Sequence, residues 1–134
     1  MWIRSGHYII GALTLILFII SGQYMGLVYQ GFSNPELYGH NEAVRFLFRA
    51  NHIYLLLPAL LNLLLGSYLT LAPERGRRIA QYIGSGLLLL STVLLLAAFI
   101  IEPPQASPER PWTFYGLSAL LGGALLHLRF PKKE

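Results

Sequence analysis

The sequence predicts an all-α polytopic integral membrane protein, a single bundle of four transmembrane helices in up-down order over residues 1–134. Hydrophobic residues make up 54% of the chain and charged residues 12%, whereas charged residues are about a quarter of an ordinary soluble domain. The apolar residues fall in four stretches, each close to the ~20 residues that cross ~30 Å of hydrocarbon: Tyr8–Val28, Ile53–Ala72, Ile79–Ile101 and Trp112–Leu128. None has the alternating polar pattern of a membrane β-barrel strand.

The first helix is predicted at about 3–30. Its basic start and apolar run resemble a secretory signal, but the run is longer than a signal's apolar region and no small-residue cleavage site follows it. We therefore expect a first transmembrane helix. The other helices are predicted at about 43–72, 78–101 and 112–130.

The segments between the stretches carry turn chemistry. Residues 30–42 are rich in Gly, Asn, Ser and Pro, and the link over 73–78 is short, so helices two and three should be antiparallel neighbours. Glu102–Pro111 contains four prolines and is predicted to be an extended, stiff connection.

Basic residues predict the orientation. Most of them flank the first stretch, the link between the second and third stretches, and the end of the fourth: Arg4, Arg75, Arg77, Arg78, Arg129, Lys132 and Lys133. The positive-inside rule then places both termini in the cytoplasm. We expect a multi-pass protein of the cell membrane, the inner membrane if the source is a bacterium. The net charge of +4 follows from this topology, so no nucleic-acid partner is predicted.

A polar cluster opens the second helix. Arg45, Arg49 and His52 fall within about 60° of arc, Asn51 lies on a neighbouring face, and Glu102 at the end of helix three is the expected ion-pair partner of Arg45 or Arg49. One interpretation is that the arginines are interfacial side chains that reach the lipid headgroups. Alternatively, the five residues line an outward-facing pocket for a lipid or a quinone-like amphiphile, whose oxygens arginine binds well.

A second pattern joins the first and last helices. His7 precedes Gly11 by one turn, and Gly123 precedes His127 by one turn. Two imidazoles with nearby glycines resemble the way membrane b-type cytochromes hold haem between helices. The resemblance implies haem b with His7 and His127 as its ligands. The alternative is that both histidines lie in the headgroup layer, beside the arginines close to them in the sequence.

The start of the second helix also resembles a known enzyme family. Glu42, Arg45, Arg49, Asn51 and Pro58 are similar to the second-helix start in the membrane-associated eicosanoid and glutathione metabolism family. That resemblance implies a glutathione-binding enzyme. The family places this segment on the cytoplasmic side, opposite to the orientation that the basic residues predict here, so no residue roles are transferred.

The composition excludes several chemistries. The chain has no cysteine and no aspartate, so thiolate metal sites and Ser-His-Asp catalysis are excluded. No catalytic residue and no metal site is predicted. We therefore expect a non-catalytic membrane protein without a cofactor, either a subunit of a larger membrane complex or an amphiphile binder. Its expected partners are membrane lipids, quinone, and other membrane subunits or further copies of the chain; a haem b electron carrier and a glutathione-type enzyme are the alternatives.

Overall fold

The described part of the chain forms four α-helices. The computed structural model describes residues 2–29, 42–105 and 108–128, and no strand occurs within those ranges. The helices are α1 (Trp2–Tyr29), α2 (Glu42–Tyr68), α3 (Arg75–Gln105) and α4 (Pro111–His127). The all-α prediction is confirmed, and most helix ends lie within a few residues of their predicted positions. The predicted outer loop at 30–42 lies almost wholly outside the described residues.

The helices are antiparallel neighbours in chain order. The beginning of α1 contacts the end of α2, because Arg4 donates hydrogen bonds to the carbonyl oxygens of Gly66 and Ser67. The end of α3 contacts the beginning of α4 through Glu102 and Thr113. The pairs α1–α2 and α3–α4 pack closely and α2 joins α3, whereas α1 and α4 barely touch. We call the end where α1 begins and α4 ends the inner end, and the opposite end the outer end.

The distribution of polar side chains is reversed relative to that of a soluble bundle. About as many polar as apolar side chains are buried, among them His7, Asn51, Asn62 and Glu102. Large apolar side chains cover the outside instead, as in the 56% exposed Ile9 on α1. In water such a surface would drive aggregation, whereas in a bilayer the lipid covers it. This arrangement is consistent with a membrane protein.

Three of the helices, α1, α2 and α3, are long and apolar enough to cross a membrane. The fourth helix has 17 residues and rises only about 25 Å at about 1.5 Å per residue, short of the ~30 Å of a hydrocarbon core. By this criterion of length, three of the four described helices are candidate spans and α4 is not one of them.

Helix α3 extends further than predicted. Pro103 and Pro104 lie inside it, so the prediction that the connection is extended from Glu102 onward is wrong at its beginning. Proline lacks a backbone N–H and usually weakens a helix interior. Just ahead of the prolines, the Asn51 side-chain amide on α2 donates to the Ala98 carbonyl oxygen at 2.8 Å.

Candidate functional site: buried polar clusters at the two ends

A buried polar network, the outer clamp, ties three helices together at the outer end. It consists of Asn51 on α2, Glu102 on α3, and Arg110 and Thr113 at the start of α4. The Glu102 carboxylate, only 3% exposed, accepts hydrogen bonds from the Thr113 backbone N–H at 2.8 Å, the Thr113 hydroxyl at 2.5 Å and the Asn51 amide at 3.2 Å. Arg110 Nε lies 3.5 Å from Glu102 Oε2.

Glu102 also caps the N-terminus of α4. The first backbone N–H groups of a helix have no partner within it, and a carboxylate there stabilises both the free N–H groups and the helix dipole. Arg110 precedes Pro111 at the first helical position, and its side chain makes no capping hydrogen bond. The cap thus comes from another helix, which fixes α4 against α3.

Arg110 closes the outer clamp. Its guanidinium donates to the Asn51 side-chain oxygen and, at 3.2 Å, to the Thr113 hydroxyl. It also lies over the Tyr54 ring, 5.6 Å from the ring centre, which is a favourable position for a cation. The ion-pair partner of Glu102 is therefore Arg110, and the prediction that Arg45 or Arg49 pairs with Glu102 is wrong. Those two arginines lie near the start of α2, and the Arg49 side chain is exposed.

His52, also predicted for the outer pocket, contacts a different set of residues. Its ring stacks on Phe18 with ring centres 4.1 Å apart, and its Nδ1 lies 3.1 Å from the Ser21 hydroxyl. A side chain at Gly22 would press against the same ring, since a Cβ there would lie 3.1 Å from it. The structure thus brings Asn51 and Glu102 together and directs His52 toward α1.

The inner pair, His7 on α1 and His127 on α4, lies at the inner end. The two ring centres are 6.4 Å apart and the ring planes cross at 84°. His7 is fully buried within the bundle. The repeat of His7, Gly11 and Thr14 along α1 does face the bundle interior, as the helical spacing predicts.

A chain of hydrogen bonds fixes the proton on the His7 ring. The Thr92 hydroxyl donates to the Leu88 carbonyl oxygen, and the Asn62 amide nitrogen donates to Thr92 at 3.2 Å and to the Pro58 carbonyl oxygen at 2.8 Å. The Asn62 side-chain oxygen therefore accepts from His7 Nδ1, 2.5 Å away. With the proton on Nδ1, the Nε2 atom of a neutral His7 carries a lone pair.

The other ring of the inner pair is held in a similar way. His127 Nε2 lies 3.2 Å from the Ser85 hydroxyl on α3, which can accept the N–H of that nitrogen. His127 Nδ1 and His7 Nε2 are both buried and have no hydrogen-bond partner among the described residues. Because buried polar atoms are nearly always paired, these two ring nitrogens are the candidate ligand-binding atoms of the inner end.

The glycines one turn from the inner pair serve helix packing. A Cβ at Gly11 would lie 2.6 Å from the Leu63 backbone nitrogen, and one at Gly123 would lie 2.7 Å from the Gly84 carbonyl oxygen. These glycines let α1 approach α2 and let α4 approach α3. The expectation that they face a macrocycle is therefore wrong, although the histidine pairing itself does not depend on it.

A cavity of about 340 Å³ adjoins the inner pair. Its wall combines leucines from the end of α2, the link to α3, and the side chains of Tyr68, Arg77, Gln81 and His127. Gln81 fastens the link, since its side chain accepts from the Ala72 backbone N–H at 2.7 Å and donates to the Thr70 carbonyl oxygen at 3.1 Å. These two hydrogen bonds hold in place the link that forms part of the cavity wall.

No cluster of three or more His, Cys, Asp or Glu side chains that could hold a bare metal ion occurs among residues 2–29, 42–105 and 108–128. Comparison of the chain with protein-family models, curated protein sequences and solved structures finds no significant match.

Four residues of these clusters were not predicted as site residues from the sequence: Ser85, Thr92, Arg110 and Thr113. Arg110 and Thr113 follow a proline-rich segment, and Ser85 and Thr92 are ordinary small polar residues of a membrane helix. One signal does exist: Ser85, Thr92 and Glu102 lie within an otherwise apolar run, where each polar group requires a partner.

Proposed function

We propose that the protein is a membrane haem b protein that transfers electrons, with His7 and His127 as the two axial ligands of the iron. The observation that supports the proposal is a pair of buried ring nitrogens, on two rings whose centres are 6.4 Å apart, that have no hydrogen-bond partner among the described residues. In the tautomers with the protons on His7 Nδ1 and His127 Nε2, both nitrogens carry lone pairs, which cannot hydrogen-bond to each other. They can be satisfied together by an acceptor of electron pairs between them, and a metal centre is such an acceptor.

The distance between the rings supports a metal centre. Ligation by both rings puts two bonds of about 2 Å between them, and with about 1 Å from each nitrogen to its ring centre the centres lie about 6 Å apart. The observed separation is 6.4 Å. The partners Asn62 and Ser85 on the far side of each ring are the kind that orient metal-bound histidines.

Haem fits this pair better than a bare ion does. A structural zinc site needs four ligands, and the described part of the chain offers no cluster of even three. A haem macrocycle supplies the remaining nitrogens itself, so two histidines complete its iron. The two helices that carry the ligands, α1 and α4, barely touch, so the macrocycle has a side of the bundle from which to enter.

Two protein ligands favour electron transfer over catalysis. His7 and His127 would hold the iron of a bound haem and would leave it no open position for oxygen or a substrate. The haem would then supply one-electron transfer. Burial in an apolar bundle and the hydrogen bonds to the two rings would set its reduction potential.

The variants that test the proposal are His7→Ala, His127→Ala and His52→Ala. With haem supplied during expression, we expect the first two to lower haem affinity by more than about 100-fold, because losing a ligand exceeds the 10–100-fold effect of losing a ligand's hydrogen-bond partner. His52→Ala is the matched control, since that ring stacks on Phe18 away from the inner pair, and it should keep the wild-type absorption spectrum. Equal haem content in all three variants would contradict the proposal.

We further propose that α4 completes four membrane crossings with both termini in the cytoplasm, so that the inner end is cytoplasmic. Exposed apolar side chains along α4, such as Phe114, Leu121 and Leu125, support contact with lipid. In the cysteine-free chain, Ser33→Cys should react with an impermeant maleimide added outside intact cells, and Glu134→Cys only after lysis. The reverse labelling pattern would contradict this orientation.

The other functions that the sequence predicts have less support. An outward pocket for a lipid or quinone would use Asn51 and Glu102, whose polar groups are engaged with Arg110 and Thr113. A glutathione-type enzyme would need the opposite orientation. Membrane lipids remain the expected partners of the apolar exterior.

A further inference from the structure

We infer that Arg77 binds a haem propionate, so that the carboxylate edge of the haem lies in the cavity beside His127 and faces the inner end. The inference rests on the proposed function. Arg77 lies outside the inner pair, and the group that it would recognise is a carboxylate.

Two cavities at the inner end place Arg77 close to His127. The cavity of about 340 Å³ is lined by both Arg77 and His127, and so is a neighbouring cavity of about 210 Å³. Both spaces therefore lie beside the His127 ring. Arg77 stands at the start of α3, where both spaces meet the inner end.

The positive charge of Arg77 favours an anionic ligand. Within residues 2–29, 42–105 and 108–128, no acidic side chain pairs with its guanidinium, although the side chain is only partly exposed. A guanidinium binds a carboxylate through two parallel hydrogen bonds. An anionic carboxylate is therefore the complementary group for this cavity.

Arg4, another arginine of the inner end, is already engaged in hydrogen bonds. Arg4 lines a separate cavity of about 310 Å³, but its side chain donates to the Gly66 and Ser67 carbonyl oxygens at the end of α2. A cation in that position stabilises the helix end. Among the described arginines, Arg77 is the one that lines both cavities beside His127.

The test compares Arg77→Gln with Arg78→Gln in the purified full chain. Both positions lie in the first turn of α3, so both variants change the charge at that helix end alike, but Arg78 is exposed and lines neither cavity. With haemin as the probe, Arg77→Gln should raise the haem dissociation rate about tenfold or more, as expected for losing a hydrogen-bonded charge pair. Arg78→Gln should change the rate less than about twofold.

A second probe identifies the group that Arg77 contacts. Haemin dimethyl ester lacks both carboxylates, so Arg77→Gln should not change its dissociation rate. An equal effect of Arg77→Gln on both probes, or no difference between the two arginine variants, would overturn the assignment of Arg77 while leaving the inner pair intact. If the wild-type chain binds neither probe, the proposed function fails and this inference fails with it.

Discussion

Replacing Glu102 by alanine is expected to lower the free energy of unfolding by about 3–5 kcal/mol, the range for breaking a buried ion pair by removing one partner. The carboxylate is almost wholly buried and accepts three hydrogen bonds. Its loss leaves the Arg110 guanidinium half-buried without its ion-pair partner and leaves the Thr113 backbone N–H unpaired. Because Glu102 caps α4 from outside, the variant should also loosen the start of that helix.

The measurement is unfolding in a mild detergent by titration with a denaturing detergent, followed by circular dichroism. Glu109→Ala is the matched control, since Glu109 is exposed at the same end of the bundle and its replacement should change stability by no more than about 0.5 kcal/mol. The double variant E102L/R110M should be less damaging than the sum of its single changes, because it removes both charges together. Equal stabilities of the Glu102 and Glu109 variants would show that the outer clamp does not stabilise the fold.

Gly66→Ala is expected to separate α1 from α2. An added Cβ would lie 2.6 Å from both the backbone nitrogen and the Cα of Tyr8, and a backbone cannot swing aside as a flexible side chain can. Overpacking of this kind commonly lowers stability by about 1–3 kcal/mol, and we expect the upper end of that range. Since Tyr8 follows His7, the displacement should also move His7 away from His127 and weaken haem binding.

Gly86→Ala provides the control for Gly66→Ala. No atom lies within 4 Å of the place where a Cβ at Gly86 would stand, and alanine is favoured over glycine inside a helix by about 0.5–1 kcal/mol. This variant should be as stable as the wild type or slightly more stable, with unchanged haem binding. The two variants would be compared in the same detergent unfolding assay, and similar losses in both would contradict close packing at Gly66.

The helices could be predicted from the sequence because their pattern is local. Apolar runs of membrane-crossing length fix where each helix lies, and the spacing of His7, Gly11 and Thr14 identifies the inward face of α1. The extension of α3 through Pro103 could not be predicted, because proline favours the end of a helix. The contact that Asn51 makes with the Ala98 carbonyl oxygen ahead of this turn likewise joins residues far apart in the sequence.

The candidate sites were less predictable because they depend on contacts between helices. His7 and His127 could be paired from the order of helices in an up-down bundle, but their partners Asn62 and Ser85 could not. The glycines near them were assigned to a macrocycle because one-turn spacing serves cofactor approach and helix packing equally well. Likewise, Glu102 has several arginines near its end of the bundle, and only the position of α4 selects Arg110.

The most direct test of the account is titration of the purified wild-type chain with haemin in mild detergent, with absorption spectra recorded before and after dithionite. The account predicts saturation at one haem per chain. It also predicts the spectrum of a six-coordinate low-spin iron, whose α and β bands sharpen on reduction. Absence of a saturable Soret band, or a five-coordinate spectrum that is unchanged in His7→Ala, would contradict ligation by the inner pair.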